Sequence, residues 1–140
     1  MVDTFSAGDR ALSVLIVDDE RDAADSLAEL ISLYGYSTRV AYNGFVAVEL
    51  ASEVRPDVVF TDLAMPWMDG FSLGLWIREQ VPHAVLVAVT GLTGPEIEVE
   101  CHEAGFNYLL AKPLDMNAMA NVLRQASERR TCSCAWASVG

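Results

Sequence analysis

Long apolar runs are missing from this sequence, and basic charge is scarce. No segment approaches the ~18 unbroken apolar residues of a membrane-spanning helix, although 52% of the 140 residues are hydrophobic, enough for the core of one domain. Met1 to Arg10 carries Asp3 and Asp9 and lacks the apolar stretch of a secretory signal. No membrane insertion and a cytoplasmic location are therefore expected. Nine Lys and Arg stand against 20 Asp and Glu, for a formal net charge of −11. That argues against direct nucleic-acid binding, which needs a Lys/Arg stripe. Only three cysteines occur, Cys101, Cys132 and Cys134. An odd count without a secretory signal excludes a disulfide framework, and Cys132-Ser-Cys134 is a two-ligand motif with no second pair. Lysine is the rarest charge of all: eight arginines accompany one lysine, Lys112. The compact ammonium at that position has a task a planar guanidinium would not fill.

The sequence does contain an alternation of short β-branched runs with segments of helical period. Val14–Val17 reads as a buried strand, followed by a helix from Arg21 to Leu33 with Ala24, Leu27, Leu30 and Ile31 on one face. Gly35 is placed to close that helix in a left-handed turn. Tyr36–Ala41 is a more polar, edge-type strand, and Asn43-Gly44 opens a helix to about Glu53. Asp57–Thr61 is a third strand. After the loop Asp62–Asp69, a helix runs from Gly70 to Gln80. Ala84–Val89 is almost wholly apolar, as befits a strand covered on both faces. Thr93-Gly-Pro-Glu96 has capping-box spacing for a helix reaching Ala104. A short strand Tyr108–Ala111 and a helix from Leu114 to about Arg130 complete the chain. Residues 1–11 and 131–140 are expected to be loose ends around a domain of residues 12–130. Strict β/α alternation implies an α/β fold, a doubly wound five-stranded parallel sheet with right-handed crossovers.

In such sheets ligands bind beyond the carboxyl ends of the strands. The first strand ends in Asp18-Asp19-Glu20, the third in Asp62, the fourth in Thr90, and the fifth close to Lys112-Pro113. Either Asp18-Asp19 or Lys112 alone would be unremarkable in an acidic protein. Together they bring three carboxylates, a hydroxyl and an ammonium to one edge. The carboxylates would repel one another unless a hard divalent cation joined them. Mg2+, or Mn2+ in its place, suits this donor set. Asp19 and Asp62 are assigned as direct ligands, Ala64 as a ligand through its backbone carbonyl, and Asp18 as a partner through water.

These residues resemble a known family. Val14-Leu-Ile-Val-Asp-Asp-Glu20, Asp62-Leu-Ala-Met-Pro-Trp-Met-Asp-Gly70, Thr90-Gly91 and Lys112-Pro113 look like the signature of response regulator receiver domains of two-component signal transduction, over roughly residues 12–128. The resemblance implies a flavodoxin-like (β/α)5 fold with strand order 2-1-3-4-5. It implies that Asp62 is a phosphoacceptor, supplied by a histidine kinase or a histidine phosphotransfer protein. Lys112 and Thr90 would then contact the phosphoryl oxygens. The domain would signal by altered binding to a downstream protein target, as a monomer or a phosphorylation-dependent dimer, and would not be an enzyme in the ordinary sense. With only ten residues after Arg130, a stand-alone domain is expected.

Several features depart from the family pattern or bear on competing readings. The family's aromatic switch position falls on Leu109, and Tyr108, one residue earlier, should face the other way. Ala64 and Leu92 occupy the positions that help set dephosphorylation, and neither side chain can orient water, so a long-lived phosphoryl group is expected. Ala64 also stands where an aspartyl-nucleophile phosphatase carries a general acid, which disfavours that enzyme class. A phosphorylation-independent interaction module would be expected to have lost one of Asp18, Asp19, Asp62, Thr90 and Lys112. Asp-Asp-Glu in place of a glycine-rich cradle argues against nucleotide binding. Trp67, beside the acceptor, is expected either to shield the site or to meet a partner.

Overall fold

The computed structural model describes residues 12–131 except residue 93. The expected loose ends, residues 1–11 and 132–140 with Cys132 and Cys134, lie outside the described residues. Thr131, the first residue of the expected tail, instead closes the last helix.

Ten elements alternate: β1 (Ser13–Val17), α1 (Arg21–Leu33), β2 (Ser37–Ala41), α2 (Gly44–Val54), β3 (Val58–Thr61), α3 (Gly70–Gln80), β4 (Val85–Thr90), α4 (Pro95–Glu103), β5 (Tyr108–Ala111) and α5 (Met116–Thr131). All strands are parallel, in the order β2-β1-β3-β4-β5. The period of two along each strand sorts the core into two layers. Leu15, Val17, Val59, Leu86 and Ala88 pack with Ala47 and Ala51 of α2, Leu73 and Ile77 of α3, and Cys101 of α4. Their neighbours Val14, Ile16, Val58, Phe60 and Val87 pack with Ala24 and Ile31 of α1 and with Met119 and Leu123 of α5. Helices cover both faces, so β4 is buried at every position. In β2, by contrast, only Ala41 is buried, as suits an edge strand.

Local chemistry sets the helix ends. Gly35 follows α1 at φ +96 and donates its N–H to the Ser32 carbonyl (2.9 Å), in the left-handed conformation that glycine adopts without Cβ strain. The Asn43 side chain accepts the Val46 N–H (2.9 Å) and so starts α2. The first residue of α4 is Pro95, and Gly94 before it offers no side-chain cap; Thr93, and with it the expected capping box, lies outside the described residues. One start differs from the sequence expectation. The final helix starts at Met116 rather than Leu114, because the Asp115 carboxylate accepts the Asn117 N–H (2.9 Å) and its carbonyl accepts from Met119 (3.0 Å).

Among the described residues no helix is long and apolar enough to cross a membrane.

Candidate functional site

The exits of β1, β3, β4 and β5 meet at one edge of the sheet. Asp18 leaves β1 with its N–H donated to Ala41 on β2 (3.1 Å), and its Oδ1 accepts the Glu20 N–H (3.0 Å). The side chain is thus held in place at 8% exposure. Asp62 leaves β3 with its N–H on the Val17 carbonyl of β1 (3.0 Å), and its Oδ1 accepts the Ala64 N–H (3.3 Å). From β5, the Lys112 ammonium reaches both acids, 3.3 Å from Asp18 Oδ2 and 3.3 Å from Asp62 Oδ2. Asp19 is exposed, and one carboxylate oxygen from each of Asp18, Asp19 and Asp62 lies within 4.8 Å of the others.

The electrostatics follow from this geometry. Burial pushes the Lys112 ammonium down, but the carboxylates of Asp62 and Asp18 outweigh it and hold the group above the usual lysine range. Lys112 is therefore charged at any physiological pH. Three carboxylates facing one ammonium formally leave two negative charges. That excess, on an all-oxygen donor set, fits a hard dication.

Thr90 ends β4 at 1% exposure, and its Oγ1 accepts the Leu92 N–H (3.0 Å). Its carbonyl accepts the Lys112 backbone N–H (2.9 Å), so the ends of β4 and β5 are tied together. The Lys112–Pro113 peptide bond is cis. Tyr108 and Leu109 lie on opposite faces of β5. Tyr108 is buried among the α1 and α5 side chains and donates its hydroxyl to Gln125 (3.1 Å), while Leu109 is half-buried on the other layer. Leu92 and Ala64 are exposed. Trp67 is 80% exposed, at φ +70.

The fold thus brings Asp18, Asp19, Asp62 and Lys112 into one cluster with Thr90 beside it. Sequence reasoning missed the backbone amides of Glu20, Ala64 and Leu92, which hold the Asp18, Asp62 and Thr90 side chains. Main-chain donors have no residue signature. It also missed a cleft of about 280 Å3 in which Asp18 and Lys112 join Ala23, Leu27, Leu30 and Pro113.

Comparisons with known proteins give the family and the fold. Residues 14–124 match the model of the response regulator receiver domain family. The chain is 32% identical over 114 residues to regulatory protein AtoC of Escherichia coli strain K12, covering 81% of this chain and 24% of that protein. It thus spans about a quarter of that relative's length. Among solved structures, chemotaxis protein CheY4 of Vibrio cholerae superposes with a TM-score of 0.79 at 27% identity, covering 84% of this chain and 99% of that one. A CheY-like receiver domain protein from Methanospirillum hungatei, at 20% identity, shares the fold with a TM-score of 0.84 over 89% of this chain and all of that one.

Proposed function

The chain belongs to the response regulator receiver domain family, and on that premise we propose that it accepts a phosphoryl group on Asp62 from a phosphohistidine donor and signals through altered protein binding. One observation carries the reading: a single ammonium, Lys112, sits 3.3 Å from both Asp62 and Asp18 while Asp19 completes an acidic cluster around them. A carboxylate oxygen of Asp62 forms the new O–P bond as the N–P bond of the donor breaks. The donor imidazole leaves with the electron pair. Transfer of this kind depends on alignment and charge neutralisation more than on covalent chemistry. Lys112 supplies a point charge for one phosphoryl oxygen, and the cleft beside it offers an incoming surface an apolar approach.

Asp19, Asp62 and the Ala64 carbonyl would hold Mg2+, with Asp18 acting through water. When bound, the ion supplies charge neutralisation for the transferred group. Thr90 is suited to report the result. A hydroxyl donates one hydrogen bond and accepts two, so Thr90 can keep the Leu92 N–H and donate its own proton to a phosphoryl oxygen. That bond would draw the β4–α4 connection inward and alter the face built from α4, β5 and α5. Tyr108, tied to Gln125, does not serve as a rotating aromatic switch in this reading. The partners are a histidine kinase or phosphotransfer protein and a downstream protein target, in the cytoplasm.

The test is intact mass after incubation with a small phosphodonor and Mg2+. The wild type should gain one phosphoryl group and Asp62→Asn none. Equal labelling of the two, or none in either, would refute the assignment.

A further inference from the structure

β3 reads Val58-Val59-Phe60-Thr61, and all four residues are buried, Thr61 to 1% exposure. A hydroxyl in so apolar a strand needs a partner. The partner is the carbonyl of the next residue: Thr61 Oγ1 donates to the Asp62 oxygen at 2.9 Å. The same carbonyl is covered by the start of α3. A Cβ added to Gly70 would collide with the Asp62 carbonyl oxygen and come within 2.8 Å of Leu63 Cα, so the backbone of α3 passes directly against it. Gly70 itself gives its N–H to the Leu63 carbonyl (2.9 Å) rather than to Asp62.

The two peptide groups flanking Asp62 are therefore held by different means. The preceding one is fixed by the sheet, through the Asp62 N–H on Val17 (3.0 Å). The following one is fixed by the Thr61 hydroxyl, beneath Gly70. The direction of the Asp62 side chain depends on both, because Cβ leaves the backbone between them. We propose that Thr61 is a positioning residue for the phosphoacceptor: its hydroxyl sets the peptide plane after Asp62 and so aims the carboxylate at Lys112 and the acidic cluster. The inference rests on the reading of Asp62 as the acceptor.

Thr61→Val keeps the shape and removes the hydroxyl. The covered carbonyl then loses its donor, and its peptide group must turn to find another. Phosphoryl uptake from a small phosphodonor at saturating Mg2+, followed by intact mass, should slow roughly tenfold, the scale on which supporting hydrogen bonds act at such sites. Thr61→Ser should restore the wild-type rate, although it lacks the methyl group that valine keeps. Uptake by Thr61→Val as fast as wild type would overturn the proposal. So would a Thr61→Ser protein that is folded by circular dichroism and as slow as the valine variant, since retaining the hydroxyl would then not retain the rate. Should Thr61→Val not fold, Thr61→Ala against Thr61→Ser isolates the hydroxyl, and equal rates in that pair would overturn it. A wild type that takes up no label would refute the acceptor reading and this inference with it, whereas labelling of wild type and valine variant alike refutes only the inference.

Discussion

The helices that follow β3 and β4 start from adjacent strands and are built to opposite standards. α3 is capped by the Asp69 carboxylate, which accepts the Ser72 N–H (2.8 Å), and it buries Gly70, Leu73, Gly74 and Ile77. Near its end Arg78 donates to the carbonyls of Pro82, Ala84 and Gly105 and to the Asn107 side chain, which in turn accepts from Leu86. α4 starts at Pro95 after a Gly94 that offers no side-chain cap, buries only Cys101, and leaves Val99 55% exposed between Glu98 and Glu100. Burial, and then the charges of Glu100 and Glu98, push the Cys101 thiol up to about 11, so it serves as an inert packing group. Because the Arg78 clamp also grips Gly105, just past α4, that helix is tied at its C-terminal end and lightly held at the end nearer Thr90. The difference suits the proposed roles. A phosphoacceptor needs a rigid support, and an element that responds must have a second arrangement within reach.

Matched substitutions can break this comparison. Leu73→Ala in α3 should cost roughly 2–5 kcal/mol in urea unfolding, because it leaves a cavity in a packed layer; a cost below 1 kcal/mol, on the scale of a surface change, would show α3 to be as loosely seated as α4. Arg78→Met should cost about 2 kcal/mol, since several carbonyls lose a charged donor at once. Hydrogen exchange should then speed up in the α4–β5 connection, and unchanged exchange there would remove the clamp from the account.

The Lys112 contribution should be smaller and confined to alkaline solution. Its folded pKa is raised above 10.5, so its pairing stabilises the fold fully below that value and is lost as pH rises through the folded pKa. Thermal midpoints of wild type and Lys112→Met should therefore draw together in alkaline solution, as pH rises through the raised folded pKa; a constant difference throughout would mean that the ion pairs do not carry it. Smallest of all, Val99→Ala in α4 should change stability by no more than about 0.5 kcal/mol. A larger loss would show that α4 is anchored through a face that looks exposed.

Much of this could be read before any coordinates. The bounds of α1 and α3 follow from hydrophobic period and from Gly35 and Asp69, which act within a few residues of chain. A misplaced start arose where a side chain competes locally, as Asp115 does at α5. The site was legible because strand ends in a parallel sheet converge by rule, which brought Asp18, Asp62, Thr90 and Lys112 to one edge. Its supporting hydrogen bonds were not, because main-chain amides look alike at every position.

The sequence by itself determined the alternation of strands and helices, the two-layered core, and the set of charged groups at one edge. Each depends on periodicity or on residue type at a strand end. Only the tertiary structure decided that Lys112 pairs with Asp18 and Asp62 together, that Arg78 ties α3 to the chain beyond α4, and that Gly70 passes over the carbonyl Thr61 holds. Most of those contacts join residues far apart in the chain, and all depend on ångström-scale placement of backbone and rotamer, which a pattern of residue types does not encode.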